Sequence, residues 1–176
     1  MKKRLIIWTL LGTGIAALAA ATGVSADPEK GKVFGDWIIA CTETQTERNS
    51  RCFARQVQVT ENQEGAGDGR SRRLIDMRVG FLGPNGEPAV VALLPLGIYI
   101  PAGVALRIDD ANQIPLRLEF CTRMGCRAVK ILDQAQLLAL QLSNELSIRF
   151  SPRLSGKLAS IRLSPKGLFK AVESLK

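Results

Sequence analysis

L-R-L-E-F-C-T-R-M-G-C-R-A-V-K-I-L, from Leu116 to Leu132, is the stretch on which the fold turns. Leu116 to Cys121 and Arg127 to Leu132 form the arms of a hairpin. Thr122-Arg123-Met124-Gly125 is its loop, and Gly125 can take the positive φ that a tight reversal asks for. Cys121 and Cys126 then face each other across a non-hydrogen-bonded strand pair, at a separation a disulfide can bridge. The other two cysteines are Cys41 and Cys52. Four cysteines admit three connectivities, and local pairing, Cys41–Cys52 and Cys121–Cys126, is the preferred one. Loops this short are worth about 2–3 kcal/mol each in the chain-entropy model. The spacings C-x10-C and C-x4-C are not the C-x-x-C of a redox site, and no histidine is present to share a zinc ion. The four cysteines are therefore expected to be structural staples, with no metal and no cofactor.

Outward from the hairpin, short extended segments alternate with turns. Phe34 to Cys41, Arg51 to Thr60, Leu74 to Leu82, Ala89 to Leu94, Val104 to Ile108, Leu146 to Phe150 and Leu158 to Leu163 read as strands. Gly83-Pro84-Asn85-Gly86 is a strong turn signal. Pro95-Leu96-Gly97-Ile98 is echoed by Pro101-Ala102-Gly103-Val104, two bends carrying an extended segment. Glu61 to Arg73, rich in glycine and arginine, reads as a mobile loop. It lacks the strand-then-helix context and the G-K-[ST] ending of a phosphate loop. Asp133 can cap a helix running to about Leu142, with Leu137, Leu138 and Leu140 to Leu142 as its stripe. Leu168, Phe169, Val172 and Leu175 give a second, C-terminal helix an apolar side. The expected class is mainly β: an antiparallel β-sandwich or partly open barrel with two short helices, one of them C-terminal.

The first 26 residues read differently. Lys2, Lys3 and Arg4 precede an apolar run from Leu5 to about Ala21, and Val24-Ser25-Ala26 supplies small residues for cleavage. This is the pattern of a secretory signal peptide, expected to be cut after Ala26. The run is interrupted by Gly12, Thr13 and Gly14 and is short for a spanning helix. The expectation is a leader over 1–26 and a single disulfide-stabilised domain over 27–176, periplasmic or secreted from a Gram-negative cell, with no transmembrane segment after cleavage. The leader holds three positive charges and no acid, so the formal charge of +8 falls by three on its removal. What remains is basic, but short of a dedicated nucleic-acid binder. The few aromatic residues are not interleaved with the basic ones, and no nucleic-acid partner is expected.

The absence of histidine removes Ser-His-Asp and Cys-His catalysis and imidazole proton transfer. No S-x-x-K occurs for a serine–lysine pair. Asp109-Asp110 is the tightest acidic pair, but neighbours on a strand point to opposite faces, and a turn before Ala111-Asn112 accounts for both. No catalytic residue is expected, and the protein is read as not an enzyme.

Four pieces occur in fixed order: F-G-D-W-I-I-A-C at Phe34–Cys41, L-P-L-G-I-Y-I-P-A-G-V at Leu94–Val104, F-C-T-R-M-G-C-R-A at Phe120–Ala128, and S-P-K-G-L-F-K-A-V-E-S-L at Ser164–Leu175. With these pieces the chain resembles the invasion-associated locus B family of alphaproteobacteria over nearly all of residues 27–176. The resemblance implies a secreted or periplasmic envelope protein with a β-rich, disulfide-held fold. In pathogens some members of that family are associated with host-cell invasion. It brings no catalytic residues to map.

The expected function is binding, to an envelope or host protein or to an anionic surface component such as lipopolysaccharide or peptidoglycan. The candidate contacts are Arg70, Arg72 and Arg73 in the basic loop, and Leu96, Ile98 and Tyr99 in the proline-flanked segment. Arg117, Arg123, Arg127 and Lys130 put further positive charge on the hairpin. Two alternatives stand beside binding. A histidine-free cell-wall or carbohydrate hydrolase needs two carboxylates facing each other across a cleft. A small-ligand carrier needs a pre-formed apolar pocket in the mouth of the sandwich.

Overall fold

The computed structural model describes residues 29–42, 51–60, 72–110, 112–153 and 156–176. The expected leader, residues 1–26, lies outside them. Ten strands run in the order β1-β2-β3-β4-β5-β8-β7-β6-β9-β10, every neighbouring pair antiparallel, in a sheet curled into a half-barrel. The strands are β1 (Val33–Phe34), β2 (Trp37–Cys41), β3 (Cys52–Val59), β4 (Arg73–Gly80), β5 (Ala89–Leu94), β6 (Val104–Ile108), β7 (Asn112–Thr122), β8 (Gly125–Ile131), β9 (Leu146–Phe150) and β10 (Ala159–Leu163). The helices are α1 (Gln134–Gln141) and α2 (Leu168–Glu173). The expected mainly antiparallel β class with a C-terminal helix is what the molecule adopts.

The curl is made by β7. Its first half, Asn112 to Leu116, pairs with β6, and its second half, from Arg117 on, pairs with β8 through a register shift between Leu118 and Phe120. Such a bulge bends a strand. Pro115, with no N–H to offer a ladder, lies in the part that pairs with β6. One long strand thus passes from one wall of the half-barrel to the other.

Period-two alternation fills the inside. Ile75, Met77 and Val79 of β4 and Val90, Ala92 and Leu94 of β5 meet Leu106, Ile108 and Ile148 from the opposite wall, and all are buried. α2 covers this core from the β1–β3 side with Leu168, Ala171 and Val172. Asp133 caps α1 as expected: its carboxylate accepts from the Gln136 N–H at 2.7 Å, and the Gln136 side chain accepts from the Asp133 N–H at 3.2 Å. The helices bury less than their leucine count suggests. Leu138, Leu142 and Phe169 face solvent, and Ala171 takes an inward place.

Two local expectations are redrawn. Phe34 to Cys41 is two strands, because Gly35-Asp36 turns the chain back on itself between them. Residues 31–32 are tied down by exchange of hydrogen bonds with Ile39, both at 2.8 Å. Arg73 is the first residue of β4 and no part of a loop.

Two of the quoted pieces turn out to touch. The Trp37 indole N–H donates to the Ser164 carbonyl at 2.8 Å, and the Asp36 N–H donates to Lys166 O at 3.0 Å. Buried Gln56 joins them, donating to Asp36 O and Ser164 O while accepting from the Ser164 N–H at 2.9 Å. Gly167 sits at φ 91°, where a Cβ would run into the Phe34 carbonyl. F-G-D-W and S-P-K-G are the two halves of a latch closing the chain ends over the core.

Candidate functional site: an arginine-bearing sheet face

β4 places Ile75, Met77 and Val79 inward, so Asp76 and Arg78 face outward. The β3–β4 register sets Arg55 opposite Arg78 and Val57 opposite Asp76. Asp76 lies on an open sheet face, yet its side chain has 0% exposure, because guanidinium groups roof it. Arg55 donates to it through Nε at 3.0 Å and Nη2 at 2.8 Å. Arg78 does the same at 3.2 and 3.1 Å, and Arg73 Nη1 stands 3.9 Å away. Burial pushes the Asp76 carboxyl up, but the two arginine hydrogen bonds and charges outweigh it. The group ends below the usual carboxylate range. The same hydrogen bond raises Arg55. Arg78 also stacks 5.1 Å over the buried Phe53 ring. Two bidentate forks and one stack fix these side chains in place.

The face continues across β5 and β8. Arg78, Val91, Val129 and Arg117 form one cross-strand row, and Asp76, Leu93, Arg127 and Phe120 form the next. Glu119, beside the β7 register shift, accepts from Arg127 and from Arg117 Nη2, the latter at 3.2 Å. Burial, and after it the nearby Arg78 charge, lowers Arg127 from the ordinary guanidinium range. Both arginines belong to one field. Among the described residues, Arg55, Arg73, Arg78, Arg117 and Arg127 have Asp76 and Glu119 as ion-pair partners, two acids for five arginines.

Beside this lattice lies a groove of about 740 Å³. It opens where β7 leaves β8, since their pairing ends at Arg117 and Val129. Val129 and Ile131 line it from β8, the Leu82–Pro84 turn lines it on one side, and Pro115 and Leu116 line it from β7. Arg51, Arg117, Arg127 and Lys130 supply its positive charge. Arg51 also pins the turn, donating to Gly83 O at 3.0 Å.

A family model described as invasion associated locus B (IalB) protein matches residues 37–176. The chain belongs to that family. It is 24% identical over 144 residues to the invasion protein B homologs of Brucella abortus strain 2308 and of Brucella abortus biovar 1 strain 9-941, covering 82% of this chain and 78% of each relative. Its fold is that of the crystal structure of invasion associated protein B from Bartonella henselae, with a TM-score of 0.67 and 20% identity over 82% of this chain and 94% of that one. Three of the four pieces that carry the resemblance map onto the latch and the stapled hairpin, and the fourth, Leu94–Val104, connects β5 to β6. The resemblance therefore reports on the fold, and the arginine lattice lies mostly outside those pieces.

Both local disulfides are formed, Cys41–Cys52 and Cys121–Cys126, with Cα atoms 4.0 and 3.9 Å apart across paired strands. Gly125 takes φ 128° as the hairpin requires, and a Cβ there would run into the Leu94 carbonyl. Of the arginines singled out in the sequence, Arg70 lies outside the described residues. Arg72 is exposed beside Thr60, and Arg73 reaches both Asp76 and the Met124 carbonyl, the latter at 2.6 Å. Leu96 and Tyr99 are exposed, but Ile98 is in the core and bridges Pro152. That segment and the arginines are not one site. Asp109 holds a turn, accepting from the Asn144 and Glu145 N–H groups at 2.9 and 2.8 Å, and Asp110 pairs with Arg107. Arg55, Asp76 and Arg78 were not singled out. The available signal was Asp76 itself, a lone acid at the centre of the apolar run L-I-D-M-R-V.

Among the described residues no helix is long and apolar enough to cross a membrane.

Proposed function

We propose that this protein is a non-enzymatic, exported envelope protein that acts by binding an anionic partner through the outer face of β3, β4, β5, β8 and β7. The observation carrying this reading is Asp76. A carboxylate buried beneath three arginines on an otherwise open face holds those arginines rigid and only partly neutralised. Arginine forks fixed in this way recognise carboxylate or phosphate at low entropic cost. Two disulfides suit an oxidising compartment, in line with a cleaved leader. The names of the relatives supply the biological setting, invasion.

The hydrolase alternative has little to stand on. Asp76, Asp109, Asp110 and Glu119 are each taken up by arginines or turn N–H groups. The carrier alternative is weakened because the space inside the half-barrel is filled by the core. The test is affinity capture from envelope extract with the full mature chain and with Arg117→Glu, whose side chain is 82% exposed. Specific material retained by the wild type and lost from the variant supports the reading. Equal retention by both overturns it.

A further inference from the structure

We propose that the groove beside Glu119 binds an extended acidic peptide segment of a partner protein, one that alternates carboxylates with aliphatic side chains. The proposal rests on the binding reading above and names the class of partner. Three features select that class. The volume of about 740 Å³ falls within the roughly 300–1,000 Å³ of ligand pockets. Among the described residues the lining is aliphatic and proline-rich, with Val129, Ile131 and Pro115 and no aromatic side chain. A sugar polyanion would use polar donors and aromatic platforms, whereas aliphatic side chains fit this lining. The positive side chains, Arg117, Arg127 and Lys130, are only partly offset by Glu119, so a second carboxylate is favoured beside them. The groove is recessed between the Leu82–Pro84 turn and β7, which a flat bilayer surface cannot enter. A second copy of this basic face would bring like charges together.

An extended strand also matches the place. β7 and β8 diverge there, and a peptide running along the divergence would set alternate side chains toward lining and rim.

The test is fluorescence anisotropy with the disulfide-intact mature chain and a labelled hexapeptide alternating glutamate and leucine. The comparators are a glutamate–serine hexapeptide, a sulfated heparin oligosaccharide and phosphatidylglycerol vesicles. The expected result is saturable binding of the glutamate–leucine peptide, at least five-fold tighter than the glutamate–serine one. Arg117→Glu should weaken it about ten-fold and Ile131→Ser about three-fold, while Leu142→Ser, away from the groove, leaves it unchanged. Both affected side chains are substantially exposed, so folding is not at stake, and circular dichroism checks it. No binding, equal binding of the two peptides, or preference for the oligosaccharide or vesicles overturns the peptide assignment. If capture from envelope extract is still lost in Arg117→Glu, the binding reading survives that failure. If both experiments are negative, the two fall together.

Discussion

The two faces of β4 carry different chemistries. Ile75, Met77 and Val79 look inward onto a dry core, while one residue away Asp76 and Arg78 join an ionic lattice on the outside. Alternation at period two lets a single strand serve two chemistries. The inner face gains stability from area removed from water. The outer face spends a buried carboxylate to hold arginines still, an arrangement that stabilises little beyond a well-packed apolar substitute. One face explains why the chain folds, and the other what the folded chain presents.

The comparison breaks most sharply on the inner side. Trp37→Ala should cost about 4 kcal/mol, removing a buried indole and its hydrogen bond to Ser164. Urea unfolding measures it. Asp76→Asn comes next, at about 2–3 kcal/mol: breaking a buried pair costs more, but these guanidiniums are about one-third exposed. The pH dependence follows from its lowered pKa. The unfolded carboxyl titrates near 3.9 and the folded one lower. Its stabilisation is therefore complete above about pH 4 and is lost as pH falls through the folded value. The gap between wild type and Asp76→Asn should hold above about pH 4 and close as pH falls below it, which unfolding curves across the acid range will reveal.

Smaller still is the hairpin staple. Replacing Cys121 and Cys126 by serine should cost about 2 kcal/mol for so short a loop, and thermal unfolding reads it directly. The Cys41–Cys52 pair closes the longer loop, so its loss should cost slightly more. The smallest effect on stability belongs to Arg117→Glu, within about 0.5 kcal/mol, although it should have the largest effect on binding. That inversion separates the two faces experimentally.

What could be read from the sequence follows the same division. β5, β6 and β9 coincide with the apolar segments Ala89–Leu94, Val104–Ile108 and Leu146–Phe150, because burial writes itself into local alternation. The stapled hairpin was legible for the same reason, its turn and cysteines being adjacent in sequence. The Arg55–Asp76–Arg78 lattice was not, since Arg55 meets Asp76 only through the β3–β4 register across 21 residues. The sequence places Arg73 in a loop, because the glycine-rich stretch before it hides where β4 starts. Sequence proximity groups Ile98 with Leu96 and Tyr99, but the bridge to Pro152 turns it inward. The latch pieces were recognisable individually, while their contact, spanning more than a hundred residues, was not.

The most direct measurement is site-specific photocrosslinking in intact cells. Benzoylphenylalanine replaces Phe120, which is 56% exposed on the arginine face, and in a second strain Leu158, which is 64% exposed. Discrete crosslinked protein species from position 120, absent from position 158 and reduced when Arg117→Glu is added, are the expected result. Equal crosslinking from both positions, or partners captured only at 158, would contradict the assignment of binding to the outer face.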